Sequence, residues 1–518
     1  MRFNVPLSKV FLAFIAAFLL AACSKDDDPI LPVDPDVENP GTDKDKDKDK
    51  ENPEEPENPY NPTHAVQNWI YDTFNEHYYW YKDMPKKEDL DFSLKPEAFF
   101  ETLLSKEDQS HLGGSFSSIR KPLGTRSIWD VNKSYGFEFM GYDSFEFKGY
   151  NDDSKFISNN NGFTLPKGYT IPENFTSLNG FAILYVVEGS PADIAGLKRG
   201  DFLYKMNGVP IGNMEAYFLL SGEGGRITLD YYTIDTKNKE VTLKQVELDA
   251  ARPIEENPVA MVKKFNEGKT GYILYHHFSP GPNNKYDEQL IDAAKKLKGI
   301  DDLILDLRYN NGGHITSEMI LSSIICPAEV LDKEIGYLEF NDKHSDNNIE
   351  TRTYSNLIGG AGNNLNLKNL YVIVGMGTAS AAESVIHHMR PFMNVHIIGE
   401  RTVGKCFGML PYTSPEGWII MPINSRVFNM DGLSDYQDGF LPGFYHKKEV
   451  NLIEEYNYLE NWPYYPLGEE DEPLLEMALD IIDGKMPSPK PKTRTSAPYV
   501  GKRTFSSIEK VLRVDDSK

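Results

Sequence analysis

Apolar positions along the chain change period several times, and each change predicts a different architecture. After Thr63, Val66, Trp69, Ile70 and Phe74 recur at three- and four-residue intervals, and Phe99, Phe100, Leu103 and Leu104 repeat the pattern after Pro96. This spacing predicts two amphipathic helices, the first capped by Thr63, forming a small N-terminal helical domain over 61–125. Between 180 and 211, "GFAILYVVEGSPADIAGLKRGDFLYKMNGVPI" reads as strand, turn, short helix, glycine turn, strand and hairpin, with Asn207-Gly208 at the turn. It marks a β-rich module over 130–250. From Lys269 strands and helices alternate. Strand "TGYILYHHF" precedes a helix near 285–297, strand "LILDLRY" a helix near 315–325, and strand "LYVIVGM" a helix from Ser380, followed by strand "NVHIIGE". That alternation predicts an α/β domain over 255–485, with a mainly parallel sheet and its active site at the carboxyl ends of the strands. Further on, "GWIIMPINSRVFN" predicts paired strands, and "DEPLLEMALDIIDG" a closing helix with Leu474, Leu475, Ala478 and Ile482 inward.

The two ends of the chain show no such period. Arg2 and Lys9 precede an apolar run from Val10 to Ala22 that stops at Cys23. Such a run spans only ~20 Å as a helix, short of the ~30 Å bilayer core, so residues 1–22 read as a secretory signal rather than a transmembrane helix. Leu20-Ala21-Ala22-Cys23 resembles a lipobox, which implies a lipid on Cys23 and attachment to a membrane. Ser24 after the cysteine resembles outer-membrane sorting in a diderm bacterium, and Asp26-Asp27-Asp28 resembles a surface-export tag. The expectation is an outer-membrane lipoprotein facing the surface or the periplasm. Residues 23–60 are rich in proline and alternating charge and predict a solvated tether. Asp43, Asp45 and Asp47 have calcium-loop spacing, but Lys48 stands where that loop needs glycine. The segment 486–518 reads as a flexible tail.

Composition narrows the chemistry. A chain of 518 residues has room for two or three domains. Its formal charge of -24 argues against nucleic acid, which requires concentrated Lys and Arg. The only cysteines, Cys23, Cys326 and Cys406, lack metal-ligand spacing. Neither a metal nor a cofactor enters the expectation.

The chemistry-bearing stretch is "YVIVGMGTASAAESVIHHM", where a buried strand breaks into small residues around Ser380. A serine needs a neighbour to take its proton. A helix from Ser380 travels ~16 Å away from the strand end, and a six-residue strand returns ~20 Å, so the chain arrives beside Ser380 at "RTVGKCFG". The functional side chain there is Lys405. His387 and His388 lie two turns along the helix, ~10–12 Å away. Lys405 serves as a base only if neutral, and burial among Val403, Phe407 and Met409 would lower its pKa. At a helix start the Ala381 N–H points toward a developing oxyanion, and a second donor would come from Gly312-Gly313 in "LDLRYNNGGH". Ser380-Ala-Ala-Glu383 also fits a plain capping box. His314 is an alternative base.

The spacing S-P-A-x-x-A-G-L-x-x-G-D-x-x-x-x-x-N-G resembles a PDZ domain of the bacterial protease type. The resemblance implies a peptide bound as an added strand, its carboxylate held by the loop "SYGFEF" at Tyr135, Gly136 and Phe137. "DLRYNNGG", "GTASAAE" and "GERTVGK", in that order after a PDZ domain, resemble the tail-specific or carboxyl-terminal processing serine peptidases of the S41 type over roughly 60–485. That resemblance implies a ClpP/crotonase-like catalytic fold acting on polypeptides. It makes Ser380 the nucleophile, Lys405 the general base, and Gly313 with Ala381 the oxyanion donors. Two departures stand out. Met409 occupies the place of a Gln found in many members, and Pro391 that of an Asp found in others, so the motifs leave the group that orients Lys405 unnamed. The rival expectation is a peptide-binding lipoprotein scaffold of the same fold that has lost activity.

Overall fold

The computed structural model describes residues 64–120, 133–142, 180–212, 224–453 and 464–485, with short pieces at 156–158, 164–166, 170, 215 and 218–219. The expected signal segment, Cys23, the tether and the tail lie outside the described residues. Among the described residues no helix is long and apolar enough to cross a membrane.

A seven-stranded sheet carries the catalytic region, in the order Val259–Phe265, Thr270–Tyr275, Asp302–Asp306, Asn369–Val374, Asn394–Gly399, Gly443–His446 and Glu449–Leu452. The second to fifth strands are mutually parallel, and the flanking strands are antiparallel. The middles of the parallel strands are largely apolar because both faces are covered. Ile273, Leu303, Leu305, Val372 and Val374 face the helices Lys285–Lys296, Ile315–Ile325 and Ala381–Met389. Their alternates Tyr272, Leu274, Ile304, Tyr371 and Ile373 face the helix Pro473–Ile482 and part of the PDZ module. In the closing helix Leu474, Leu475 and Ala478 are buried, while Ile482 is half-buried.

The N-terminal helices Ala65–His77 and Pro96–Glu101 bury Ile70, Phe74, Phe99 and Phe100. These side chains join the same core as Leu290, Leu321 and Val385, so this segment shares its core with the catalytic region. The strand Ser118–Arg120 pairs with Ile419–Met421. The strands expected to pair within "GWIIMPINSRVFN" instead enter two sheets. Ile419–Met421 joins Tyr412–Thr413, and Ile423–Asn429 joins Glu334–Phe340 and Phe407–Met409. Pro422 between them has no N–H to give to a ladder.

The PDZ sheet runs Glu240–Leu248, Ile227–Asp235, Phe202–Met206, Gly180–Val186 and Phe137–Tyr142, all antiparallel. Ser190 caps the short helix Pro191–Ile194 by accepting the Asp193 N–H. Positive φ at Asn207 and Gly208 makes the predicted hairpin turn. Arg199 ties this module to the catalytic region. It donates to the Tyr465 and Leu184 carbonyls and to the Tyr309 hydroxyl, with its guanidinium 4.8 Å from the Tyr464 ring centre.

Candidate active site

Three neighbouring parallel strands deliver three loops to one edge of the sheet. Asp302–Asp306 leads to Gly312-Gly313, Asn369–Val374 to Ser380, and Asn394–Gly399 to Lys405. Short polar contacts stitch the loops together. Thr378 donates to Leu307 O (2.8 Å), the Ala379 N–H to Asn310 O (3.1 Å), and the Val403 N–H to Thr378 O (3.0 Å). Behind the first loop, fully buried Arg308 donates to both oxygens of Asp306 and of Glu472. Glu472 also caps the closing helix through the Leu475 N–H, and Tyr272 donates to Asp306. Each charge in this cluster is paired, as burial requires.

Ser380 sits immediately before the helix Ala381–Met389, with φ 55° and ψ -121°. A residue bearing a Cβ rarely adopts such angles, and the sharp turn is held by what surrounds it. Gly312 presses against it. A methyl group on Gly312 would stand 2.7 Å from Ala379 O and 2.8 Å from Ser380 Cβ. The small residues around Ser380 thus allow two backbones to meet.

Glu383 binds the serine turn to the lysine loop. Its carboxylate is fully buried and accepts four hydrogen bonds: Ser380 N–H (3.0 Å) and Lys405 N–H (2.8 Å) on Oε2, Gly404 N–H (2.7 Å) and the Thr402 hydroxyl (2.5 Å) on Oε1. One oxygen bridging two amides puts the Ser380 and Lys405 nitrogens no more than about 6 Å apart. The S-x-x-E motif is therefore more than a helix cap. It supplies the anchor for Lys405 that Met409 and Pro391 do not, since Met409 packs on the core. The sequence held the signal in Glu383, where capping explained only its bond to Ser380. The Ser380 hydroxyl and the Lys405 amine make no direct hydrogen bond in this arrangement, and such bonds commonly tighten only around a substrate.

The electrostatics suit a neutral amine. Burial lowers the Lys405 pKa below the usual lysine value, and the Glu383 charge opposes that shift. Lys405 keeps some accessible surface, but its loop is flanked by buried Val403, Cys406 and Phe407. Burial pushes Glu383 up to about 7, against the pull of its four donors.

Of the other expected residues, Ala381 occupies the first helical position, where its N–H has no intrahelical acceptor. Gly313, at φ 139°, lies against the Phe278 backbone. The His314 N–H donates to Phe278 O, and its imidazole senses Asp287. His388 Nδ1 lies 2.8 Å from Glu318 Oε1, and His387 Nε2 lies 2.7 Å from Leu433 O, so both belong to the core. In the PDZ module Tyr135 is buried with its hydroxyl on Gly225 O, and the Gly136 N–H donates to Ser134 Oγ. Phe137 opens a strand that pairs on one side only, with Gly180–Val186, among the described residues.

A parallel-sheet domain with a serine turn and a lysine loop at its carboxyl edge, beside a PDZ module, defines a narrow class. The profile of peptidase family S41 matches residues 269–444, that of the peptidase S41 N-terminal domain matches 65–118, and a PDZ domain profile matches 183–232. These matches place the sheet region that carries Ser380 and Lys405, and the segment before the PDZ module, with the peptidase S41 profiles. The carboxy-terminal processing protease CtpA of Bacillus subtilis (strain 168) is 27% identical over 227 residues, covering 43% of this chain and 44% of that protein. A CtpA-like serine protease of Staphylococcus aureus (strain bovine RF122 / ET3-1) is 22% identical over 304 residues, covering 57% of this chain and 55% of that protein. The chain thus spans about half the length of these curated relatives. A crystal structure assigned to the S41 proteases, from Bacteroides fragilis NCTC 9343, superposes with a TM-score of 0.63 and 29% identity, covering 81% of this chain and 98% of that one.

Proposed function

We propose that this chain is a serine endopeptidase that cleaves unfolded or carboxyl-terminal polypeptide segments. The single observation that carries the reading is the Glu383 carboxylate, which bridges the backbones of Ser380 and Lys405. The neutral Lys405 amine takes the Ser380 proton as Oγ attacks the scissile carbonyl. The oxyanion that forms is received by the N–H groups of Gly313 and Ala381. The Lys405 ammonium then gives its proton to the leaving amine, and the same lysine activates the water that hydrolyses the acyl-enzyme. The strand Phe137–Tyr142, paired on one side only among the described residues, supports peptide capture by strand addition, with the turn at Tyr135, Gly136 and Phe137 at its head. A lipid on Cys23 would hold the enzyme at a membrane, and palmitate labelling lost on Cys23→Ala would support that attachment.

The test is hydrolysis of casein by the wild type, Ser380→Ala and Lys405→Ala. The proposal expects turnover from the wild type and none from either variant. Wild-type turnover in Ser380→Ala would refute the nucleophile. An inert wild type that still binds peptide would favour the scaffold reading.

A further inference from the structure

Lys405 sits on a loop, 401–406, that has no regular secondary structure. Its position depends on individual side-chain contacts, and one comes from outside the catalytic region. His111 Nε2 lies 2.8 Å from Thr402 O. A carbonyl oxygen only accepts, so the imidazole donates from Nε2. Thr402 is fully buried, and its other polar groups are already engaged. Its hydroxyl donates to Glu383 Oε1 (2.5 Å) and accepts the Phe440 N–H (2.7 Å), and its own N–H donates to Phe440 O (3.1 Å). The carbonyl is left to His111.

A second set of contacts runs beside it. Trp80 and Phe116 meet Phe407, two residues past Lys405, edge to face, at ring separations of 5.2 and 5.4 Å. The Tyr79 N–H donates to Ile423 O (2.8 Å), and Ser117 Oγ accepts the Ile423 N–H (2.9 Å), on the strand that pairs with Phe407–Met409. Gln437, whose carbonyl lies against Gly404, donates to Glu107 O (2.6 Å). The N-terminal segment thus contacts the lysine loop at Thr402 and the residues packed beside it at Phe407, Ile423 and Gln437.

We infer that the N-terminal segment is a structural part of the active site, and that His111 is a positioning residue for Lys405, acting through Thr402 and Glu383. The inference rests on the peptidase reading above. Loss of the His111 donor leaves a buried carbonyl unpaired, and the loop relieves that by turning Thr402 toward another donor. The Thr402 hydroxyl and the Lys405 N–H share one carboxylate, so the turn shifts the backbone that carries the amine. None of these contacts involves a residue of the PDZ module, so ground-state peptide binding there is not touched.

The experiment compares His111→Met, which keeps bulk but no donor, with His111→Gln, whose amide can donate from the same place. Both full-length variants are assayed for casein hydrolysis and for the rate of labelling by a fluorophosphonate, beside Ser380→Ala, with the melting temperature as a check on folding. Displacing a reacting group by about 1 Å costs on the order of a hundredfold. His111→Met is therefore expected to lose at least about tenfold in kcat and labelling rate, with KM little changed, and His111→Gln to recover most of both. If His111→Met works within about twofold of wild type, or His111→Gln is impaired as badly as His111→Met, the positioning role is wrong. If Ser380→Ala is labelled and active, the fault lies in the peptidase reading instead.

Discussion

Glu383→Ala separates the electrostatic account of the site from its geometry. The carboxyl has a pKa of 4.5 in an exposed setting and about 7 in the fold, because burial penalises its charge more than four donors relieve it. A folded-state pKa above the unfolded one means that the native protein binds this proton more tightly. The stability it contributes is present below pH 4.5 and is lost as pH rises through about 7. The full swing is about 3 kcal/mol, of which about 2.5 kcal/mol falls between about pH 5 and about pH 8. Alanine has no proton to lose, so the variant lacks this slope. Urea unfolding of both proteins at stepped pH measures it directly: the stability gap should be widest in acid and narrow by about 2.5 kcal/mol toward about pH 8. Casein turnover by the variant should fall about a hundredfold, because Ser380, Gly404 and Lys405 lose their shared acceptor. Parallel stability curves would refute the raised pKa. Undiminished turnover would refute the bridging role.

Other outcomes follow from the same contacts. Because burial lowers the Lys405 pKa, kcat/KM should rise with pH through an apparent pKa below the ~10.4 of a free lysine, and Lys405→Arg, permanently charged, should be inert at every pH. Glu472→Ala removes one of the two carboxylates that pair the buried Arg308 guanidinium and uncaps the closing helix, so chemical unfolding should show a loss of about 3 kcal/mol. Gly312→Ala drives a methyl group to 2.7 Å from Ala379 O and 2.8 Å from the Ala381 amide nitrogen. Its kcat should fall on the order of a hundredfold.

Much of this site is legible from periodicity alone. Alternating strands and helices predict the parallel sheet, and one down-and-up excursion between Ser380 and Lys405 predicts that the two return to the same edge. The PDZ elements between 180 and 211 follow from Gly, Asn and Pro punctuation, which acts locally. The misses are nonlocal. The helical stripe of Ile70 and Phe74 announces a buried face but not the partner that covers it, which is the catalytic core. The split of Ile419–Met421 from Ile423–Asn429 turns on Pro422, whose effect depends on which strands are near enough to pair. Glu383 reads locally as a cap for Ser380, while three of its four donors come from residues nearly twenty or more positions away.

The backbone angles of Ser380 suit glycine better than serine. Replacing that residue with glycine should leave an inert protein about 1 kcal/mol more robust than its active parent. A lineage selected for endurance alone would drift toward that substitution. Retention of serine here would therefore record that hydrolysis, not durability, was under selection.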